Sequence, residues 1–315
     1  MNRLAHSIKA LLKLMQMSKV ELFVFVEGKG DRYFYDRLCS TAFNDFGIAY
    51  QVKTADELAV GSVGKTALLD FFTYLRARKL LAHSFKGKRL AAVFVVDKDV
   101  DDFLRACKKS IHLIYTEFYH RENYLMRFSD LADVAATAAS LDVASLHSVL
   151  GDQDLWRRRA AAEWKEWIKL CLVARQTRAH SPSNYSQKSQ INNGPYSGVD
   201  QLRLATSRTA LETASGLSNA AFQKLLARVD SFVERMLRNG QHDRLFKRAW
   251  YASFLAEDVS RAAAGRAYYS NRLEERLLET AVSKLDFTGS WASFFIGGFT
   301  RVTNQLQNGT ITAIP

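Results

Sequence analysis

Three acidic residues stand where buried strands would end. Val20–Val26 reads VELFVFV and stops at Glu27-Gly28, and Leu90–Val96 reads LAAVFVV and stops at Asp97-Lys98-Asp99. Nearly continuous apolar runs of this length are the pattern of strands covered on both faces of a parallel sheet. Open parallel sheets place ligands beyond the carboxyl ends of their strands, so Glu27 and Asp97 are expected at such an edge. On extended backbone, residues i and i+2 point to the same side with Cα atoms roughly 6.6 Å apart, which would aim Asp97 and Asp99 at one hydrated cation. Mg²⁺ suits such a set, because it prefers a few carboxylates with waters and substrate phosphate to an all-protein cage. Glu27 would complete the cluster as a ligand or as general base for a water nucleophile. Singly, each acid has a plainer use, as a helix cap or an exposed loop carboxylate. Two apolar strands ending in acids at equivalent positions point further, since like charges gather at one edge when something cationic neutralises them.

The elements that must hold these acids follow from the pattern around them. A helix is expected from about Asp31 to Ala42, a short strand over Ile48–Lys53, and a second helix opened by Gly61-Ser62-Val63-Gly64 and running through Leu81. After the Leu90–Val96 strand, Ile111–Tyr115 reads as a fourth. Strands alternating with helices mean a parallel α/β sheet with right-handed crossovers, over approximately residues 20–130. Beyond Ser129 the chain turns to helical stretches rich in Ala, Leu and Arg, such as Trp156–Arg175 and Ala220–Arg238. Residues 176–200 are dense in Ser, Asn, Gln, Gly and Pro and read as a long surface loop or a disordered excursion. The expected organisation is an N-terminal amphipathic helix over 1–19, an α/β domain over 20–130 and a helical domain over 131–315.

The motifs resemble a known family. Val26-Glu27-Gly28-Lys29-Gly30-Asp31 is similar to the E-G-x-x-D motif, and Val95-Val96-Asp97-Lys98-Asp99 to the D-x-D motif, of the TOPRIM superfamily in its OLD-nuclease branch. The Gly61–Gly64 turn resembles the segment between them in that branch. His120-Arg121-Glu122-Asn123-Tyr124-Leu125 resembles the E-N-Y/F-L segment of a narrower set, the stand-alone TOPRIM effectors of PARIS-type phage-defence operons. The likeness covers about residues 20–130 well and the helical half only in outline. It implies a TOPRIM fold and a metal-dependent endonuclease in which Glu27, Asp97, Asp99 and Glu122 hold one or two Mg²⁺ ions, with Mn²⁺ as a substitute. It also implies a toxic anti-phage effector, acting on transfer RNA, active as a homodimer and restrained by a partner ATPase of the ABC or AAA type. OLD proteins carry their ATPase in the same polypeptide, so that partner is expected to be a separate protein. Lys29, Arg32, Lys98 and Arg121 flank the acids and could hold neighbouring phosphates.

Composition fits this reading. Forty-four Lys and Arg against 32 Asp and Glu give a formal charge of +12 and suggest an anionic partner, with nucleic acid first. RNA and DNA are not separated by it, and a non-catalytic nucleic-acid or partner-binding module would carry the same charge. Cys39, Cys107 and Cys171 lack metal-ligand spacing and read as reduced thiols of a cytoplasmic protein. His6, Lys9 and Lys13 interrupt the first leucines at helical spacing, unlike a signal peptide, and no stretch is apolar for the eighteen or so residues that span a bilayer. Gly64-Lys65-Thr66 hints at a P-loop, but that motif needs glycine at position 59, where Ala59 stands. Asp31 reads as an N-cap, and Asp101 and Asp102 as acids complementing a following helix. Trp156, Trp164 and Trp167 beside Arg157-Arg158-Arg159 read as core rather than as an RNA-stacking face. His242-Asp243 reads as a helix start rather than a proton-transfer pair.

Overall fold

The computed structural model describes residues 7–58, 62–263, 272–308 and 312–314, so His6 and Gly61 lie outside the described residues. In chain order its regular elements begin with Ile8–Met17 (α1), Leu22–Val26 (β1), Lys29–Phe43 (α2), Tyr50–Thr54 (β2) and Gly64–Ala77 (α3). Ala82–Phe85 (β3), Lys88–Val96 (β4) and Leu113–Tyr115 (β5) follow. Then come Glu122–Phe128 (α4), Leu131–Ala139 (α5), Val143–Leu150 (α6), Gln153–Glu163 (α7), Lys165–Thr177 (α8), Gln201–Ser215 (α9) and Asn219–Arg238 (α10). Arg248–Ala262 (α11), Leu273–Lys284 (α12), Ser293–Asn308 (α13) and Thr312–Ile314 (β6) complete the series. The chain divides into two units, one of Met1–Lys98, Ala106–Glu117 and Asp286–Pro315, the other of Asp99–Arg105 and Phe118–Leu285. Among the described residues no helix is long and apolar enough to cross a membrane.

The first unit is α/β. Its sheet runs β2-β1-β4-β3-β6, with β5 beside the far half of β4. β1 pairs in parallel with both β2 and β4, β4 with β5 and β3 with β6, while β3 runs antiparallel to β4. The apolar runs are buried because both faces of the sheet are covered: all five residues of β1, and Leu90 to Val96 of β4, are at most 1% exposed. Phe25 stacks on Phe94 at 5.0 Å, and Phe71 and Phe72 of α3 meet Phe94 edge-on. α2 is fixed at its start by Asp31, which is not the N-cap expected from the sequence but stands in the first turn, its Oδ2 accepting the N–H of the N-cap Gly28 at 2.6 Å. α1 buries Leu11 and Met15 in the same core.

Two features depart from the pattern read in the sequence. The helix expected to reach Leu81 stops at Ala77, because Ala82–Phe85 forms a hairpin with β4. Its two turn residues have positive φ, +50° at Lys86 and +78° at Gly87, as a type I′ turn demands; Lys-Gly lacks the Asn or Asp that would have announced it. The second departure is at the C-terminus, where residues 286–315 belong with the sheet rather than with the helical half. α13 sets Phe295 against Tyr35 at 5.7 Å and Phe299 against Phe43 at 5.3 Å. At Gly298 a Cβ would fall 2.6 Å from Ile114 Cδ1, so this close approach requires glycine.

The second unit is helical. Its core gathers Trp156, Trp167, Trp250, Tyr124, Tyr251 and Phe246, all at most 2% exposed. The three tryptophans near Arg157 are thus core, and the Arg157 side chain is itself buried, 2.7 Å from Asp154 Oδ1. The polar segment between α8 and α9 is not a disordered excursion. Tyr185 stacks on Trp250 at 5.3 Å, and Ile191 is fully buried. The indoles of Trp164 and Trp250 donate to the carbonyls of Pro195 and Gln187 at 3.1 and 2.9 Å. Tryptophan N–H groups that would otherwise be buried without a partner satisfy the loop backbone, which holds an irregular segment in place.

Candidate active site

In the first unit β1 and β4 lie side by side and end together, so Glu27 and Asp97 leave the sheet at the same carboxyl edge. Glu27 Oε1 accepts the backbone N–H of Asp97 at 2.8 Å. Lys65, in the first turn of α3, reaches the same edge and donates from Nζ to the carbonyl of Asp97, with that of Lys98 at 3.5 Å. The Asp97 residue is therefore gripped by a carboxylate at its N–H and by an ammonium at its C=O. The next peptide is fixed as well: Lys98 N donates to Thr116 Oγ1 at 2.8 Å, and Lys98 Nζ to the carbonyl of Glu117 at 3.1 Å. Thr116, just after β5, is fully buried.

The cations expected to flank the acids are engaged differently from one another. Lys29 is well exposed and 3.9 Å from Asp56. Arg32 lies 3.5 Å from Glu57, a buried carboxylate that also takes Lys53 at 2.9 Å. Arg32 thus serves a structural ion pair.

Asp99 and Glu122 belong to the second unit. Asp99 does not continue the strand: β4 ends at Val96, and Asp99 has φ +49°. The extended geometry that would point Asp97 and Asp99 to one side therefore does not hold. Aspartate tolerates the left-handed region better than most residues, and the Asp99 N–H is fixed there by the Tyr119 carbonyl at 2.7 Å. Burial, and after it the charge of Asp99, pushes the Tyr119 hydroxyl well above its ordinary pKa. The segment after Asp99 is a series of turns and not a helix. Asp102 accordingly caps no helix; it accepts the Phe103 N–H at 2.8 Å and pairs with Arg244.

Glu122 opens α4, with Oε2 3.0 Å from His120 Nδ1 and Oε1 accepting from Arg121 Nη2 at 3.2 Å. Arg121 is 9% exposed, so its charge is spent on Glu122 within the protein. The rest of that segment anchors α4: Asn123 is fully buried and donates to the Phe246 carbonyl at 2.8 Å, and Tyr124 and Leu125 are core.

His242-Asp243 opens a short 3₁₀ turn, His242–Arg244, and not an α-helix. Both side chains are buried, and Asp243 accepts from Arg127 at 2.7 Å and from the Tyr251 hydroxyl at 2.8 Å. Arg157 Nε lies 3.6 Å from the same carboxylate. Burial lowers the pKa of His242. Sequence reading missed both this hub and Lys65. The signal for Lys65 was present: in a β-α-β unit the helix after β2 starts at the edge where β4 ends. Rejecting the P-loop removed the lysine with it.

Among the described residues no group of three or more His, Cys, Asp or Glu side chains is placed to hold a metal ion. The donor chemistry still fits Mg²⁺ or Mn²⁺, which take oxygen ligands and complete their shells with waters and phosphate after one or two carboxylates. No family model matches the chain, and no curated protein matches it.

Proposed function

We propose that the chain is a Mg²⁺-dependent TOPRIM endonuclease whose chemistry centres on Glu27 and Asp97. The observation that carries this is the edge geometry: carboxylates from two adjacent parallel strands leave the sheet together, with Glu27 on the Asp97 N–H and Lys65 on its carbonyl. Glu27 and Asp97 would hold the cation. Asp99 and Glu122 enter the proposal through the family resemblance alone, as do the homodimer, the restraining ATPase and transfer RNA as substrate. A divalent cation held there would polarise the scissile phosphate and make a bound water more acidic. The protein's own contribution is to fix Asp97 between two partners and to keep Lys65 beside it, where an ammonium favours the negative charge that builds in phosphodiester hydrolysis.

The test is incubation of the pure protein with labelled transfer RNA and DNA, with and without Mg²⁺. Metal-dependent cleavage by the wild type that Glu27→Gln lacks supports the reading. The toxic-effector part is tested separately, by growth of cells co-expressing the chain with a neighbouring ATPase before and after infection. A second reading, a nucleic-acid-binding module without cleavage, is favoured by the lack of a three-acid group among the described residues. Tight binding with no cleavage under any divalent cation would select it.

A further inference from the structure

Between Asp70 and Asp97 the chain has no acidic residue and six Lys or Arg: Arg76, Arg78, Lys79, Lys86, Lys88 and Arg89. The fold places them at one end of the first unit. α3 runs from the Asp97 edge to its C-terminus at Ala77, and the β3–β4 turn at Lys86-Gly87 is the start of β4, whose other end is Asp97. Lys88 and Arg89 are tied to backbone carbonyls, of Ser18 and of Leu306 and Gln307. Arg76, Arg78, Lys79 and Lys86 are exposed, and none of them is in an ion pair with a carboxylate among the described residues. Aromatic rings steady three of them: the Arg78 guanidinium sits 3.8 Å over Tyr74, Arg76 is 5.8 Å from Phe72, and Lys86 is 5.6 Å from Phe85. A ring positions a cation without neutralising it, whereas the Arg32 and Arg121 charges are matched by carboxylates.

We infer that Arg76, Arg78, Lys79 and Lys86 form a remote phosphate-contact surface for nucleic acid. At about 1.5 Å per residue along α3 and about 3.3 Å along β4, it lies roughly 16 to 30 Å from the acidic edge. That is on the order of five to nine base steps at 3.4 Å each, so the ligand is a nucleic acid that extends several nucleotides from the acids. A lipid surface fits less well. Interfacial helices and loops insert exposed Trp, Phe or Leu, and none of the large exposed apolar side chains falls between Tyr74 and Arg89. The inference rests on the nucleic-acid half of the proposed function and not on cleavage.

The experiment measures binding of a fluorescent RNA hairpin to the full chain by anisotropy, without divalent cation, across a range of salt. Wild type is compared with Arg76→Gln/Arg78→Gln/Lys86→Gln and with a control of equal charge change in the second unit, Lys224→Gln/Arg228→Gln/Arg238→Gln. Each lost phosphate contact removes about 0.9 from the log–log salt slope, so the strip variant should flatten it by roughly two to three and the control by less than one. Lysine acetylation of the wild type gives a second readout free of any folding effect, with Lys79 and Lys86 protected by RNA. Equal slopes for strip and control, or unprotected lysines, overturn the inference while leaving a cleaving enzyme intact. Loss of binding to phosphatidylserine vesicles or to a polyglutamate peptide, with RNA binding unchanged, overturns it in favour of that partner. Failure of the wild type to bind RNA, with a DNA duplex of equal length also unbound, removes both this inference and the proposed function.

Discussion

Charge and hydrogen bonding at Glu27 can be separated by substitution. Its Oε1 accepts the Asp97 N–H, and a glutamine amide oxygen can accept the same bond without the charge. Glu27→Gln should therefore keep the melting temperature and lose at least about 10²-fold of metal-dependent cleavage, the scale of losing one electrostatic group at a reacting centre. Glu27→Ala should lose the activity and in addition about 1 kcal/mol for the unmade hydrogen bond, a fall of roughly 2–4 °C in melting temperature. Unchanged turnover in a folded Glu27→Gln protein would remove Glu27 from the chemistry. Lys65 allows a parallel separation. Lys65→Met removes the cation from the Asp97 carbonyl, and Lys65→Arg keeps a cation of different shape. If Lys65 positions Asp97 and supports the phosphate, Lys65→Met should lower kcat by roughly 10²-fold or more with little change in KM, and Lys65→Arg should recover part of it. Equal, full activity in both variants would reduce Lys65 to a surface charge.

Among elements, the clearest prediction concerns the short 3₁₀ turn at His242–Arg244. Its Asp243 holds Arg127 of α4 and Tyr251 of α11 and lies near Arg157 of α7. Removing one partner of a buried, hydrogen-bonded charge set strands the others, at a cost on the order of 3 kcal/mol. Asp243→Asn should lower the denaturant midpoint of the second unit accordingly, with its slope unchanged; a midpoint equal to wild type would show that the arginines find water instead. This hub marks the limit of what the sequence made legible. β1, β4 and the start of α2 could be read because local pattern dictates them: apolar runs with no polar interruption, then Gly28 with Asp31 to cap the helix. The β3–β4 hairpin was hidden because its turn is Lys-Gly and its strand only four residues long. α13 was hidden because its partners on α2 and β4 are some 200 or more residues away in the chain, and helical periodicity says which face is apolar, not what will cover it. Glu27 and Asp97 were legible as strand ends, whereas the turn of Asp99 out of the strand depends on the Tyr119 carbonyl, which no local rule supplies.

At the scale of the whole molecule the buried histidines couple folding to pH. His83 and His112 lie in the first unit and His242 in the second, and burial lowers the pKa of each. The Ala92 carbonyl and Gln305 Oε1, each 2.8 Å from a ring nitrogen of His112, oppose that lowering without cancelling it, while neither ring nitrogen of His242 has a hydrogen-bond partner in the structure. In the unfolded chain each imidazole takes up its proton near pH ~6.5; in the folded protein it does so only at lower pH. The unfolded state therefore binds more protons as pH falls through about 6.5, and stability falls with it, being fully present above that value. Melting followed by circular dichroism should show a plateau above pH ~7 and a decline toward pH ~5, before ordinary carboxylates titrate. His242→Phe keeps an aromatic ring in the pocket and removes its titration, so the decline for the second unit should become shallower in this variant than in the wild type. A melting temperature constant from pH ~7 to ~5 in the wild type would mean that these imidazoles reach protons without unfolding. An identical decline in His242→Phe would assign the acid sensitivity to groups other than His242.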